Sequence, residues 1–391
     1  MIDPDRIPLV LLAVPATVSC AYLALFTLLS WRTPVPASSA RKLCFDIIVP
    51  AHNEELNIAR TVTSLLQIDW PTALFRVIVV ADNCSDATAS VARQVGAHVL
   101  ERQNATLRGK GYALAHAFES SIADRFASAI VVVDADTEVS SNLLEAFASR
   151  IERGAQAVQS HYGILNPSAS WRTQLLCIAN GAFHLVRSRA REHLGLSSGV
   201  RGNGWCVTHA LLHAVPYRYF SLTEDTEFGI ALGMAGCRVE YAGEAQVDAD
   251  MAVTEKTARS QRQRWEQGRF QLVRKSTVPL LVAALRRRSL VCLDLAMDLM
   301  VPPLSYLVAN IFLLGLVAGL LSIWDPKAIF WVWWDFACLA ALALHVLRGW
   351  QLSGIGLRGL LALVHVPGFI LWRIWLLFSR KTSEWIRTER D

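Results

Sequence analysis

The sequence predicts an α/β domain with a mostly parallel sheet, joined to helices that cross a membrane or lie on it. Three observations support this prediction. Runs of β-branched residues alternate with helical segments through the middle of the chain, as in βαβ units. Polar and acidic residues follow directly after several of these runs. Hydrophobic residues make up 53% of the 391 residues, and long uncharged stretches lie near both ends. Stretches of that length are typical of membrane helices.

The middle of the chain predicts a doubly wound sheet. Its strands are expected at 45–50, 77–81, 98–100 and 129–133. The last of these is a run of apolar, mainly β-branched residues, which favours a strand buried on both faces. Helices are expected between the strands, the first ending near Leu66, the second near Val95 and the third covering 112–121.

Two carboxylates, Asp134 and Asp136, come directly after the buried strand. In open α/β sheets ligands bind beyond the carboxyl ends of the strands. Two hard oxygen ligands there can bring a divalent ion and a diphosphate together. The alternative is that both residues only cap the following helix near Ser140. The local pattern alone leaves these two interpretations open.

Several other motifs are missing from the sequence. No Gly-x-Gly-x-x-Gly follows the first strand, and no Gly-x-x-x-x-Gly-Lys-Ser/Thr occurs, so a dinucleotide-binding domain is disfavoured. Bound phosphates would then need a metal and basic side chains. The eight cysteines are scattered without a Cys-x-x-Cys spacing, so neither a zinc site nor a redox pair is indicated.

Three long apolar stretches predict membrane spans, and the third of them contains a single charged residue, Asp335. The first is 7–31, followed by Arg32, Arg41 and Lys42, so the positive-inside rule places the N-terminus outside and the next domain in the cytoplasm. A cleaved signal peptide is less favoured, because acidic residues precede the stretch and its apolar core is too long. Further spans are expected at 299–324 and 328–347. The stretch 359–372 is too short to span and is expected to be interfacial or re-entrant.

These features divide the chain into four parts. They are an N-terminal membrane helix at 1–32, a linker at 33–44, an α/β domain at 45–275 and a C-terminal membrane region at 276–391. The last part should hold an interfacial helix, two spans, an interfacial or re-entrant helix at about 359–379 and a tail. The net charge of +5 is modest. Basic residues around 256–288 and 348–390 suit a membrane surface better than nucleic acid.

Six motifs resemble, in order, those of family 2 glycosyltransferases. They are Val49-Pro50-Ala51-His52-Asn53-Glu54, Ala81-Asp82-Asn83-Cys84-Ser85-Asp86, Gly109-Lys110-Gly111, Asp134-Ala135-Asp136, Thr223-Glu224-Asp225 and Gln261-Arg262-Gln263-Arg264-Trp265. The chain resembles the membrane-embedded branch, which includes cellulose, hyaluronan and chitin-type synthases and exopolysaccharide enzymes. This resemblance implies a GT-A fold for the cytoplasmic domain. One departure is Ala81, where many members carry a second acidic residue.

The resemblance also implies roles for individual residues. Asp225 would be the general base with Glu224 beside it, and Asp136 would bind Mg²⁺ or Mn²⁺. The nucleotide side would be formed by Pro50, His52, Glu54, Asp82, Lys110 and Asp134. The acceptor and diphosphate side would be formed by Gln261, Arg264 and Trp265. Alternatives are that Glu224 and Asp225 are an acidic helix N-terminus, and that the helix carrying Gln261 is a basic amphipathic helix on anionic lipid.

Two further segments are candidates for the site. The turn Gly202-Asn203-Gly204-Trp205 is suited to close approach of backbone to a ligand, which adds Asn203 to the acceptor and diphosphate side. A plain tight turn is the alternative. The C-terminal tail loosely resembles the gating segment of cellulose synthases, which makes Trp385, Thr388 and Arg390 candidates for a lid. Its alternative is a basic tail on anionic lipid.

The expected reaction is transfer of a sugar with inversion, from a UDP-hexose or a UDP-N-acetylhexosamine. The expected acceptor is a polyprenyl-phosphate-linked saccharide or a growing polysaccharide at the cytoplasmic face of the inner membrane. Membrane lipids are expected partners, and so is a homo-oligomer or an export protein, whereas nucleic acid is not. The alternative is a catalytically inactive, nucleotide-binding scaffold in a polysaccharide assembly complex. A channel or transporter is least favoured, since most of the chain lies outside the membrane.

Overall fold

The computed structural model describes residues 6–251 and 255–377, with side chains described for 6–251 and 265–372. The chain separates into two compact units. The sheet unit consists of 32–166 and 191–299, and the helical unit of 6–31, 167–190 and 300–377. The domain boundaries expected from the sequence remain a proposal.

The four strands expected from the sequence are present, and four further strands follow them along the described chain. They are β1 (Phe45–Ala51), β2 (Phe75–Asp82), β3 (His98–Arg102), β4 (Ala129–Val132), β5 (Thr137–Val139), β6 (Ala157–Ile164), β7 (Trp205–Thr208) and β8 (Val239–Ala249).

The helices of the described residues are α1 (Ile7–Leu28), α2 (Ile58–Leu66), α3 (Thr88–Val95), α4 (Lys110–Asp124), α5 (Leu143–Ile151), α6 (Trp171–Asn180), α7 (Arg187–His193), α8 (His209–Ala214), α9 (Glu224–Met234), α10 (Glu255–Arg287), α11 (Leu290–Met300), α12 (Leu304–Ser322), α13 (Ile329–Ser353), α14 (Leu357–Ala362) and α15 (Val366–Leu377).

The sheet has the order β3-β2-β1-β4-β7-β6-β8-β5. The strands from β3 to β4 are parallel, as is the pair β6 and β8. The pairs formed by β7 with β4 and β6, and by β5 with β8, are antiparallel. The predicted α/β class with a mostly parallel sheet is therefore confirmed, with an antiparallel insertion at β7.

Helices cover both faces of the sheet, which explains why the central strands are apolar on both sides. On one face β1 packs through Phe45 and Ile47 against α2, α3 and α5. On the other face Ile48 packs with α4, α8 and α9. Two layers of helix thus fix the edge of the sheet where the parallel strands end.

The long helix α10 also belongs to the sheet unit. Leu272, Leu280 and Ala284 of α10 pack against Leu295 and Leu299 of α11. A methyl group on Gly233 of α9 would lie 2.4 Å from the Leu295 side chain, so α9 and α11 are in close contact. This packing joins α9, α10 and α11 into one layer.

The helical unit contains three helices that are long and apolar enough to cross a membrane: Ile7–Leu28, Leu304–Ser322 and Pro326–Ser353. They lie close to the three stretches expected from the sequence. The helix at Leu357–Trp372 is apolar but shorter. Polar contacts join α13 to α1 and to the residues just after it. The Thr27 hydroxyl of α1 lies 2.8 Å from His345 Nδ1, and Arg348 donates to the Ser30 hydroxyl at 2.9 Å.

Candidate functional site

The candidate site lies where the carboxyl ends of β1, β2 and β4 meet at one edge of the sheet. Because these strands are parallel neighbours, the residues that follow them lie together. Strand β7 runs in the opposite direction, with Trp205 opposite Val132 of β4. The residues just before β7 therefore reach the same edge. We call this edge the rim, and Arg201-Gly202-Asn203-Gly204 the rim turn.

The nucleotide side of the rim is built around Asp82, the last residue of β2. Its carboxylate accepts a hydrogen bond from Arg102 at 2.5 Å and another from the Asn83 amide at 3.1 Å. Its main-chain oxygen lies 2.7 Å from Nδ1 of His52. The guanidinium of Arg102 also lies over the ring of Tyr112. Asp82 is thus a buried, charge-paired carboxylate next to His52.

Pro50 and Glu54 flank His52 along the chain. Pro50 lies within β1 opposite Val80, where its missing N–H removes one donor from the strand. The Glu54 N–H donates to the Thr88 hydroxyl at 2.7 Å, and its carboxylate accepts from the Asn57 amide at 3.1 Å. These contacts hold the segment after β1 against the start of α3.

Lys110, the first residue of α4, joins three parts of the rim. Its ammonium donates to Asp134 at 2.5 Å and to the Gly202 main-chain oxygen at 2.8 Å. Burial alone would lower the pKa of Lys110, but the charges of Asp134, Glu224 and Asp225 outweigh it and raise this pKa. Lys110 is therefore a firmly charged cation between three carboxylates.

The rim turn holds Asp134 from the other side. The Asn203 side chain is fully buried, accepts the Asp134 N–H at 3.0 Å and donates to the Thr137 hydroxyl at 2.9 Å. Gly202 has a φ of +79°, a conformation that glycine adopts without a steric penalty. With its amide engaged in these bonds, Asn203 fits a role in shaping the rim rather than one in touching an acceptor.

Asp136 lies beside β8 at the end of the acidic pair and is nearly buried. The Asp250 N–H approaches its main-chain oxygen at 3.5 Å, and Arg60 pairs with the Asp250 carboxylate. Within the described part of the chain, no group of three or more His, Cys, Asp or Glu side chains could hold a metal ion. Two carboxylates completed by phosphate oxygens and water are nonetheless a donor set that Mg²⁺ accepts, so Asp134 and Asp136 fit such an ion.

Glu224 and Asp225 form the first turn of α9, facing Lys110. Burial, followed by the charge of Asp225, raises the pKa of Glu224 to about 7. Burial also raises the pKa of Asp225, while Lys110 and Arg201 oppose that shift. A methyl group on Gly202 would lie 3.4 Å from Oδ2 of Asp225, so this carboxylate borders the rim turn.

The segment before α9 is held from two directions. A methyl group on Gly111 of α4 would lie 2.2 Å from the Tyr219 main-chain oxygen, and one on Gly268 of α10 would lie 2.3 Å from the Thr223 methyl. The Tyr112 and Phe220 rings stack with centroids 4.2 Å apart. Helix α10, which carries the Gln-x-x-Arg-Trp motif, therefore lies next to the Thr-Glu-Asp motif.

Some sequence-predicted residues lack a described side chain. Gln261 and Arg264 lie on α10, but their side chains are outside the described residues, whereas Trp265 is 45% exposed. The tail residues proposed as a lid, Trp385, Thr388 and Arg390, also lie outside the described residues.

Three features of the rim carry no sequence motif. Arg102 pairs with Asp82, the Gly202 main-chain oxygen accepts from Lys110, and Arg60 pairs with Asp250. The first pair joins neighbouring strands and could have been found from a predicted pairing of β2 with β3. A main-chain oxygen has no side-chain signature, so nothing in the sequence marks it.

Comparisons with known proteins identify relatives of the chain. The probable glycosyltransferase YdaM of Bacillus subtilis is 24% identical over 239 residues, covering 59% of this chain and 56% of YdaM. The β-monoglucosyldiacylglycerol synthase of Trichormus variabilis is 26% identical over 233 residues, covering 58% and 49%. The chain thus spans about half the length of these curated relatives.

A shorter match and two solved structures are also similar. The 4,4′-diaponeurosporenoate glycosyltransferase of Staphylococcus aureus is 33% identical over 121 residues, covering 30% of this chain and 31% of the relative. A mannosyltransferase from Pyrobaculum calidifontis, solved with GDP-Man and Mn²⁺, has a TM-score of 0.49 at 18% identity, covering 87% of this chain and 99% of that chain. Glucosyl-3-phosphoglycerate synthase of Mycobacterium tuberculosis has a TM-score of 0.40 at 19% identity, covering 60% and 83%.

The family assignment rests on the match of a whole family model. The model described as "Glycosyltransferase like family 2" matches residues 42–268, which is more than half of the chain. This range contains all six motifs completely, the last of them, at 261–265, near its end. The resemblance drawn from the motifs is confirmed: the chain belongs to glycosyltransferase family 2.

Proposed function

We propose that this protein transfers a sugar from a nucleotide-diphosphate sugar to an acceptor hydroxyl at a membrane surface, with inversion at the anomeric carbon. The observation that carries the proposal is the convergence of Lys110, Asp134, the Gly202 main-chain oxygen and Asp225 at one rim. One cation and several carboxylates at the carboxyl ends of parallel strands suit a diphosphate leaving group and a hydroxyl that must lose a proton.

The nucleotide end of the donor would lie along His52, Glu54 and Asp82. Asp82 and Arg102 form a buried pair whose position is already fixed, so binding would cost little reorganisation. Lys110 would then face the diphosphate and stabilise charge on the leaving group. Its bonds to Asp134 and Gly202 hold the ammonium in place before the donor arrives.

Asp136 and Asp134 would hold a divalent ion. When bound, the ion would act as a Lewis acid that stabilises the diphosphate leaving group. The similar mannosyltransferase was solved with Mn²⁺ and glucosyl-3-phosphoglycerate synthase with Mg²⁺. We propose either ion here, on the carboxylate oxygens of Asp134 and Asp136.

Asp225 is the better general base of the adjacent pair. Glu224 is 8% exposed and has a pKa raised to about 7, so a large share of it would hold a proton at neutral pH. Asp225 borders the rim turn, and Lys110 opposes the rise of its pKa, which keeps it ready to accept a proton. Direct attack by a hydroxyl that Asp225 deprotonates would invert the anomeric carbon.

We further propose that the acceptor is carried by a lipid or by a growing polysaccharide. Two relatives are named for glucosylating a diacylglycerol and for glycosylating a diaponeurosporenoate, both of which are lipidic. The three apolar helices would place this chain in the cytoplasmic membrane, with the N-terminus outside and the sheet unit in the cytoplasm. The donor is proposed to be a UDP-hexose or UDP-N-acetylhexosamine.

A donor panel on the full-length protein tests this function. The protein would be purified in vesicles of phosphatidylethanolamine and phosphatidylglycerol, then supplied with UDP- and GDP-sugars, Mg²⁺ or Mn²⁺, and a membrane lipid extract. We expect metal-dependent release of nucleoside diphosphate and a lipid-extractable sugar product by mass spectrometry. Tight binding of a nucleotide without turnover across the panel would contradict the proposal and favour a scaffold.

A further inference from the structure

A buried network of ion pairs in the sheet unit ends at the rim turn. Asp294 and Asp298 lie four positions apart on α11 and so share one helix face. Arg191 is fully buried, with Nε 2.7 Å from Asp294 and a terminal nitrogen 2.8 Å from Oδ1 of Asp298. The other oxygen of Asp298 accepts from Arg201 at 3.2 Å. Asp298 thus bridges two arginines, one of which begins the rim turn.

The opposite side of the rim turn is held by Gln159 of β6, which is almost completely buried. Its side-chain oxygen accepts the Arg201 N–H at 2.9 Å. Its side-chain nitrogen donates to the main-chain oxygens of Asn203 at 2.8 Å and Gly204 at 3.1 Å. The rim turn is therefore held between a strand, through Gln159, and a helix, through Asp298.

The charge balance explains why Asp298 matters to this turn. The Arg201 side chain is only 8% exposed. A buried guanidinium that loses its carboxylate keeps its desolvation penalty without the compensating attraction. Its other described side-chain bond, from Nε to the Ser198 main-chain oxygen at 2.8 Å, supplies no charge. Loss of Asp298 removes the bond through which α11 holds Arg201, and with it one of the described anchors of the rim turn.

Helix α11 is itself firmly placed for this task. Arg269 of α10 donates to the main-chain oxygens of Asp298 and Leu299, both at 3.0 Å, at the C-terminal end of α11. A positive charge near the C-terminal end of a helix also interacts favourably with the helix dipole. The position of Asp298 is thus set by α10, the helix that packs against Thr223 beside the catalytic pair.

We propose that Asp298 is a positioning residue for sugar transfer, which holds Arg201 so that the rim turn keeps its bonds to Lys110 and Asp134. Its effect on turnover rests on the proposed function. Its effect on the conformation of the rim turn does not, because that effect follows from the ion pair alone.

Asp294 offers a matched control on the same helix face. Both aspartates are 6% exposed and both bind Arg191, but the contacts described for Asp294 go to Arg191, whereas Asp298 also binds Arg201. Asp298→Asn and Asp294→Asn each remove one charge with little change in shape. Any effect of losing a buried charge in general should be shared, and any effect on the rim turn should be specific to Asp298→Asn.

Hydrogen–deuterium exchange of the full-length protein, followed by mass spectrometry of peptides covering 196–206, measures the rim turn without a substrate. We expect Asp298→Asn to speed exchange there by about tenfold, the factor that corresponds to loss of one charge-assisted hydrogen bond. Asp294→Asn should change it less than about twofold on the same scale. Asp298→Glu should restore part of the protection. If Asp298→Asn does not fold, the double variant Asp298→Asn with Arg201→Gln, which removes both charges of this ion pair, replaces it.

The second readout separates kcat from KM in the nucleoside diphosphate release assay with a UDP-sugar and Mg²⁺. We expect Asp298→Asn to lower kcat about tenfold with a smaller effect on donor KM, since it loosens the turn that borders Asp225 and holds Lys110. Asp294→Asn should retain kcat. Equal effects of the two variants on exchange, or a loosened turn with unchanged kcat, would overturn the proposal. If the unmodified protein shows no turnover, the proposed function fails, and the exchange comparison still decides the role of Asp298 in the turn.

Discussion

The Lys110 ammonium donates to the Asp134 carboxylate at 2.5 Å, and these two residues come from different layers of the sheet unit. Lys110 begins α4, and Asp134 follows the buried strand β4. The pair joins the helix layer to the end of the sheet, and the Gly202 main-chain oxygen completes it at 2.8 Å. Lys110 thus links α4, the end of β4 and the rim turn, and substitutions at these positions have measurable consequences.

Replacing Lys110 by Met should lower turnover about 100-fold, the size expected when one charged group that stabilises the transition state is removed. It should also move the acidic limb of the pH profile of kcat/KM to higher pH. Lys110 opposes the rise in the pKa of Asp225, so its loss lets that pKa rise further and the base ionises later. Lys110→Arg, which keeps the charge, should leave the limb in place. A limb that moves to lower pH in Lys110→Met would contradict Asp225 as the base.

Asp136→Ala should abolish metal-dependent turnover while the protein stays folded. The motive is the position of Asp136 at the end of the acidic pair beside β8. Manganese binding in the presence of UDP, followed by electron paramagnetic resonance, would report the loss directly. Glu138→Gln, two residues further on and partly exposed, serves as the control and should bind manganese normally. Full turnover of Asp136→Ala with all metal chelated would refute the metal assignment.

Arg102→Gln should destabilise the protein by roughly 3 kcal/mol, because it leaves the buried Asp82 carboxylate without its charged partner. It should also weaken UDP binding, since Asp82 lies on the nucleotide side. Arg93→Gln breaks the ion pair between Arg93 and Glu101. Both of these side chains are about half exposed, so the substitution should lower the free energy of unfolding by less than about 1 kcal/mol. Urea unfolding and UDP titration of both variants measure the difference. Equal losses of unfolding free energy would show that the Asp82–Arg102 pair stabilises the protein no more than an exposed pair does.

Glu224→Gln should stabilise the protein at alkaline pH. The pKa of Glu224 is raised in the folded state to about 7, so the native protein holds a proton that the unfolded chain has lost. The free energy of unfolding therefore falls as pH rises from about 4.5, the ordinary value, to about 7. Glutamine does not titrate and so removes this loss. Above about pH 7, the free energy of unfolding of the variant should therefore exceed that of the unmodified protein by roughly 1 to 3 kcal/mol. Chemical unfolding at several pH values measures this difference in the free energy of unfolding. A variant that is no more stable than the unmodified protein at alkaline pH would show that ionisation of Glu224 does not destabilise the fold.

The sheet was predictable from sequence where its strands are buried on both faces. The runs at 47–49, 77–81 and 129–133 within or next to β1, β2 and β4 are continuous and apolar, and helices lie between them. Strand β7 was not predicted, because Trp205–Thr208 is short and mixed in character. Its antiparallel direction, which brings the rim turn to the site, depends on pairing with β4 from far along the chain.

The motifs located the acidic residues of the site, but not what holds them. Asp82, Asp134 and Asp225 were named from their surroundings in sequence. Their partners lie far away in the chain or are main-chain atoms, as with Arg102 and the Gly202 oxygen. The pair of Arg201 with Asp298 joins residues 97 positions apart, which no local pattern can reveal.

The helical segment at 167–190 shows a similar limit. It lies between β6 and the rim turn in sequence, yet it packs within the helical unit, where a methyl group on Gly181 would lie 2.3 Å from the Gly349 main-chain oxygen. Helix α6 begins with a capping box at Ser170 and Thr173, which marks a helix but not the unit to which it belongs. Packing partners, rather than helix propensity, decide that placement.

The most direct test of the central claim is the rate of nucleoside diphosphate release by Asp225→Asn, measured beside UDP affinity. The substitution keeps the shape of a side chain that borders the rim turn but removes its ability to accept a proton. We predict a loss of turnover of at least about 100-fold with UDP affinity retained, as expected when a positioned general base is removed. Turnover of Asp225→Asn close to that of the unmodified protein would contradict the account, because the rim would then act without the base it was inferred to position.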